Sequence, residues 1–254
     1  MIPPRALIVT VYGLYARESS GWLPISGLVR LLAELDVDES AVRSATSRLK
    51  RRGVLEASRR DGAAGYGLSR AGREILAEGD EHIFTPPEGR LADGWLLAVF
   101  SVPEAERAKR HMLRSQLAAL GFGTAAPGVW IAPAHRYEVT RSLLRRLDLA
   151  SYVDMFTGHY HGEVDARWWD LDAVRRRYER FLATWRKVDP ATDPLPAWVT
   201  VVTEWRRLPY LDPGLPRELL PPDWPGPDAV ALLAALRERW AEPAHSRATA
   251  LLGA

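Results

Sequence analysis

Apolar residues recur at helical spacing through the first quarter of the chain. Leu7, Ile8, Val11 and Leu14 predict a helix from about Arg5 to Arg17, and Leu28, Leu31, Leu32 and Leu35 predict another within Ile25 to Leu35. Val42, Ala45 and Leu49 fall at i, i+3 and i+7 and predict a third helix across Asp38 to Gly53. Asp38 can cap its first turn and Gly53 can end it in a left-handed conformation. Only Asp36 and Val37 separate the second and third helices, a length that suits a helix-turn-helix. Val54 to Arg60 and Tyr66 to Ser69 then read as two strands around a flexible tip, Asp61 to Gly65, and Ser69 can cap a further helix through Leu76. Helix, turn, helix, hairpin is the order of a winged helix.

The pattern changes after residue 84. Phe84 to Gly89 holds two prolines and a glycine and reads as a linker. Trp95 to Val102 is a continuous apolar run, as for a strand buried on both faces. Glu104 to Leu120 reads as a helix with Met112, Leu113, Leu117 and Leu120 on one side. Phe122 to Ala126 and Val129 to Ala132 read as strands around the Pro127-Gly128 turn, Arg136 to Leu147 as a helix, and Val153 to Tyr160 as a fourth strand. The order β-α-β-β-α-β is that of a small ferredoxin-like sandwich. Beyond it, Asp172 to Val188, Trp198 to Leu208 and Ala229 to Trp240 predict helices, joined by Pro-rich Asp189 to Pro196 and by an extended stretch, Leu211 to Asp228, with six prolines. The expected fold class is α+β: a winged helix over 1–83, a linker over 84–94, a βαββαβ domain over 95–164 and a Trp- and Pro-rich, mainly helical domain over 165–254. No internal repeat interrupts this order.

Charge sharpens the picture. The net charge is only +2, but residues 1–75 carry 12 Arg and Lys against 8 Asp and Glu, while residues 188–254 carry 6 against 9. The basic excess therefore accompanies the helix-turn-helix, where binding to phosphates would require it. On the third helix Arg43, Ser44, Ser47, Arg48 and Arg51 point away from the apolar stripe. Small serines allow close approach to a major groove, and arginine pairs with guanine edges or phosphates. Arg43, Ser44, Ser47 and Arg48 are the expected DNA contacts, with Arg51 on phosphate; Arg59 and Arg60, beside the wing tip, suit phosphate or the minor groove. A solvated basic face is the alternative. Tyr66 fits packing of the wing better than contact.

The chain has no cysteine, which excludes disulfides, thiol nucleophiles and cysteine zinc sites and fits a reducing cytoplasm. No apolar run reaches the roughly 18 residues of a membrane span, and the first residues lack the pattern of a signal peptide. Three lysines stand against 31 arginines throughout the chain, which reads as genomic codon bias.

The chain resembles the PaaX-type transcriptional repressors, a family that includes regulators of bacterial phenylacetate degradation. The resemblance is carried by Ser40-Ala41-Val42-Arg43-Ser44-Ala45, Ser47-Arg48-Leu49 and Arg52-Gly53; by Val102-Pro103-Glu104, Leu120-Gly121-Phe122-Gly123 and Pro127-Gly128-Val129-Trp130-Ile131-Ala132-Pro133; and by Trp169-Asp170-Leu171 with Arg217 to Gly226. These segments span nearly the whole chain in order. The resemblance implies a winged-helix DNA reader, a central domain similar to Cas2, and a homodimer released from operator DNA by a small acyl-CoA such as phenylacetyl-CoA. The wing tip is very small for the family.

Other chemistry is sparser. The tryptophan cluster, with Trp198 and Trp205, can line a pocket for an aromatic acyl group, and Arg176 and Arg206 can meet CoA phosphates, although tryptophans at helical spacing equally build a core. His159 and His161 on one strand would share a face, with Glu163 near, but two histidines do not complete a metal site. Neither a metal nor another cofactor is expected. A Cas2-like nuclease is the runner-up class; it would need an aspartate at the end of the first central strand, where Phe100-Ser101-Val102-Pro103 stands instead. GxSxG, P-loop, HExxH and GxGxxG motifs are missing, so no enzyme is expected. A regulator governed by a protein partner, docked on the Trp- and Pro-rich region, is a third reading.

Overall fold

The structure is a computed structural model, and it describes residues 2–17, 19–84, 89–162, 164, 166–189 and 191–253. The chain packs as two compact units: residues 1–80 with 181–205 and 228–254, and residues 81–180 with 206–227. The region after residue 165 is thus shared between them. Most of the expected linker, residues 85–88, lies outside the described residues.

The first unit begins with α1 (Pro4–Tyr15), β1 (Trp22–Pro24), α2 (Ile25–Ala33) and α3 (Glu39–Arg51). Leu28, Leu31 and Leu32 of α2 and Val42 and Ala45 of α3 are fully buried, along with Ile8 and Val11 of α1. Each such leucine, isoleucine or valine side chain stabilises the core by about 1.5–3 kcal/mol relative to exposure. The turn between α2 and α3 uses Asp36 at φ 56°. The wing strands are β2 (Leu55–Arg60) and β3 (Ala63–Leu68), and the sheet order is β1-β3-β2. The short β1 had no sequence signal, because three residues are too few to show a period.

The wing tip is tighter than the sequence suggests. Arg60 pairs with Ala63, so the returning strand starts at Ala63 and only Asp61 and Gly62 form the turn. Both have positive φ, 48° and 80°, as a two-residue primed turn requires. Asp61-Gly62 is the sequence signal for this turn, and Ala63 to Gly65, expected as a flexible tip, belong to the strand.

After the wing, α4 (Arg70–Phe84) is capped by Ser69, whose Oγ accepts the Gly72 N–H at 2.9 Å. Two segments distant in sequence complete this unit. The helix α8 (Pro194–Trp205) packs on α1, where Thr203 Oγ1 donates to Thr10 Oγ1 at 2.8 Å. The last helix, α10 (Gly226–Leu252), runs twelve residues past its expected end and carries Pro243 inside it. Loss of one backbone bond at Pro243 does not stop a helix whose Ala244, Ala248 and Leu252 are buried on one side.

The second unit holds a four-stranded antiparallel sheet of order β5-β6-β4-β7, from β4 (Trp95–Phe100), β5 (Gly123–Ala126), β6 (Val129–Pro133) and β7 (Val153–Gly158). With α5 (Arg107–Ala119) and α6 (Tyr137–Arg146) this is the βαββαβ arrangement. Leu96, Ala98, Leu113, Leu117, Trp130, Val139 and Leu144 form one core cluster, while Trp95, Ile131, Trp169 and Leu215 form another. Several details depart from the sequence reading. The strand β4 is not buried throughout, since Val99 is 37% exposed. Met112 is 43% exposed and leaves the side shared by Leu113 and Leu117. The strand β7 stops at Gly158, so its pleat does not bring His159 and His161 to one face; Glu163 lies outside the described residues.

The remaining elements are α7 (Leu171–Trp185) and the short α9 (Leu208–Leu211), which is separate from α8 rather than its continuation. The stretch expected to be extended also includes a helical turn at Arg217–Leu219. Arg136, 1% exposed, donates through Nη2 to the Pro209 carbonyl at 3.0 Å and to that of Asp212, fastening the α9 segment. Burial lowers the Arg136 pKa, and Asp212 opposes that shift.

Candidate nucleic-acid interface

The candidate site is built on α3 because its two sides have opposite chemistry. Val42, Ala45, Thr46 and Leu49 face inward and are buried. At 100° per residue, Ser40, Ser44, Ser47 and Arg51 fall opposite that stripe, with Arg43 on one flank and Arg48 on the other. Arg43, Ser44, Ser47, Arg48 and Arg51 are all exposed, so the structure gathers on one outward surface the residues expected to contact DNA.

The start of α3 is fixed by its cap. Asp38 Oδ1 accepts the Ala41 N–H at 2.9 Å and the Ser40 hydroxyl at 2.6 Å. The Ser40 hydroxyl, then the Ala41 amide, hold the Asp38 carboxyl below its ordinary pKa. The end is fixed by Gly53 at φ 70°.

The arginines differ in freedom. Arg43 Nε donates to Glu39 Oε1 at 2.7 Å, one turn earlier, with both side chains more than half exposed. Arg48 and Arg51 have no partner among the described residues, and Lys50 and Arg52 add two more exposed cations to this last turn. Lys50 and Arg52 belong to the same basic run of the sequence, beyond the expected contacts. Cations there also suit the negative end of the helix dipole.

The wing places its two arginines differently. The strand β2 is an edge strand whose residues after Leu55 are all exposed. Arg59 Nη2 reaches across the turn to the Gly62 carbonyl at 2.9 Å. Arg60 bonds to the Ser19 carbonyl at 3.2 Å, and its guanidinium stands 5.3 Å from the Trp22 ring centre. The hydrogen bond spans 41 residues and has no local signal. Tyr66 is half-buried, and its carbonyl accepts the Tyr12 hydroxyl at 2.8 Å. Burial, then Tyr66, raises the Tyr12 phenol above its ordinary pKa, so it remains a donor.

The four residues expected to meet an effector are not alike. Trp198 and Trp205 belong to the first unit and are 3% and 0% exposed; Trp205 packs against Phe181 at 5.2 Å between ring centres. Arg176 and Arg206 belong to the second unit. Arg176 is exposed, whereas Arg206 is mostly buried, and burial followed by neighbouring Arg207 lowers its pKa. Next to Arg176, Arg175 is already held by Asp223 through two bonds of 2.9 and 2.8 Å.

No described helix is long and apolar enough to cross a membrane. Among the described residues, no group of three or more His, Cys, Asp or Glu is placed to hold a metal ion.

Comparison with known proteins agrees with this architecture from end to end. Over 94% of its length the chain is 27% identical to the transcriptional repressor PaaX of Escherichia coli, of which 81% is covered. An uncharacterized protein from Mycobacterium tuberculosis of known structure superimposes with a TM-score of 0.61 at 26% identity, covering 94% of this chain and 99% of that one. Family models for a PaaX-like protein, a PaaX protein central Cas2-like domain and a PaaX-like protein C-terminal domain match residues 3–72, 88–168 and 169–250 in turn. Matched in all three parts and in order, the chain belongs to the PaaX family.

Proposed function

We propose that this protein is a transcriptional repressor that reads operator DNA with α3 in the major groove and its wing against the backbone. One observation carries the reading: α3 turns Val42, Ala45 and Leu49 inward and presents serines flanked by arginines outward, with Arg48 and Arg51 unpaired among the described residues. Ser44 and Ser47 allow the helix to approach the base edges, Arg43 and Arg48 flank them, and Arg51 and Arg59 meet phosphates. Arg60, braced on Trp22, sets the angle of the wing. The likeness to the Escherichia coli repressor supports the sign of regulation.

The repressor acts as a homodimer, so that two copies of α3 reach successive major grooves about one helical turn or a multiple apart. An aryl-acyl-CoA effector releases it by binding the free dimer more tightly than the DNA-bound one. Trp198 and Trp205, being buried, serve such an effector only through the core they fill; exposed Arg176 is available to a phosphate.

The test is fluorescence anisotropy of the full chain with the duplex upstream of its own coding region, at fixed salt. Tight binding that phenylacetyl-CoA relieves and Arg43→Ala/Arg48→Ala abolishes is the expected result. Binding no tighter than to a scrambled duplex overturns the reading, and binding unaffected by the thioester overturns its effector.

A further inference from the structure

The end of α10 packs against α2. Three residues at i, i+3 and i+7 of the α2 segment make the contact. At Gly27 an added Cβ would lie 2.8 Å from the Leu252 carbonyl oxygen and 2.9 Å from its Cα, so the two backbones touch where no other residue fits. Arg30 donates to the Leu251 carbonyl through Nε at 3.1 Å and Nη2 at 2.7 Å, satisfying a backbone acceptor that the helix end leaves open. Glu34 accepts from Arg247 Nη2 at 2.6 Å. Gly253, at φ 71°, ends α10 at this point, and Tyr15 of α1 lies 6.0 Å from the His245 ring.

We infer that Gly27, Arg30 and Glu34 form a socket for the end of α10, and that this socket positions the reading helix. The inference rests on the DNA-reading role proposed for α3. The mechanical link is short. Leu28, Leu31 and Leu32 of α2 are buried in the core, α2 packs against α3, and only five residues, 34–38, join the two helices. A shift of α2 is therefore passed to α3, because packed interfaces transmit displacement rather than absorb it. Helix termini fray readily, so a cation, an ion pair and a glycine seat at one terminus hold a part of the helix that is otherwise the first to loosen. Gly27, Arg30 and Glu34 are positioning residues: none of them lies on the outward face of α3.

Gly27→Ala is the informative substitution. Alanine is a better helix former than glycine, so α2 itself is not weakened, and any effect comes from displacing α10. The experiment measures affinity for the upstream and scrambled duplexes, with thermal melting, for wild type, Gly27→Ala and Arg30→Ala. In Gly27→Ala the preference for the upstream duplex is expected to fall by about fivefold to tenfold, with scrambled-duplex affinity retained. Arg30→Ala, which removes two bonds without a wedge, is expected to fall in the same direction by less, and it decides the matter if Gly27→Ala does not fold. If the variants that fold keep the wild-type preference, the socket has no part in reading. If wild type itself shows no preference, the DNA-reading role fails first, and that outcome is distinct.

Discussion

Glu39 holds Arg43 along the outer surface of α3, so a DNA phosphate or base would have to compete for that guanidinium. Glu39→Gln is therefore expected to strengthen binding to any duplex, by releasing Arg43 and removing a negative charge that faces phosphate; anisotropy against salt measures it. Among the described residues, Arg48 and Arg51 have no such competitor. Arg48→Ala is expected to cost about 1–3 kcal/mol of discrimination, whereas Arg51→Ala should weaken all duplexes alike and lower the salt slope by about 1. In the second unit, Arg136→Ala would leave the Pro209 and Asp212 carbonyls without their donor and open a void. A loss of roughly 3 kcal/mol in denaturant unfolding is expected. The outward residues of α3 were legible in the sequence because helical spacing alone separates them from Val42, Ala45 and Leu49. The partners of Arg43, Arg60 and Arg136 were less so: a four-residue spacing allows an ion pair without requiring one, and the other two reach across the fold.

Elements were legible in proportion to their length and to the strength of their stop signals. The helix α3 is bounded by Asp38 and Gly53, and both act as the sequence implied. The Asp38 cap also carries a pH dependence. Its folded pKa is depressed, so its contribution is fully present above the ordinary carboxylate range and is lost as pH falls through the lowered value. The Ala41 amide shift, followed by NMR during acidification, is expected to move only below the pH at which an unpaired aspartate titrates. At the wing, Gly62→Val is expected to destabilise by about 1 kcal/mol or more, because a β-branched residue resists φ 80°. The last helix shows the limit of local signals. Pro243 predicts a stop, and only the burial of Ala244, Ala248 and Leu252 against other parts of the unit explains why the helix continues.

At the scale of the molecule, the sequence order suggests three consecutive domains, and by packing the chain forms two compact units that each draw on the C-terminal third. The βαββαβ order was readable from strand and helix patterning. The sharing was not, because the all-round burial of α8 and the buried stripe of α10 name no partner. Homodimerisation is expected to appear as twice the 28.4 kDa chain mass in sedimentation equilibrium. A chain mass of one in the presence of upstream duplex would contradict the paired-groove arrangement.

The seat of α10 on α2 has a consequence in time. A growing polypeptide makes α1 to α4 first, but Gly27, Arg30 and Glu34 wait for residues 247–252. At roughly 5–20 residues per second, that wait lasts about 10–35 s after residue 80 is made. The α1 surface that α8 covers is likewise open to water until residues 194–205 are made. If α3 reads DNA as proposed, nascent and prematurely terminated chains carry it without its support and prefer the operator less than finished molecules do.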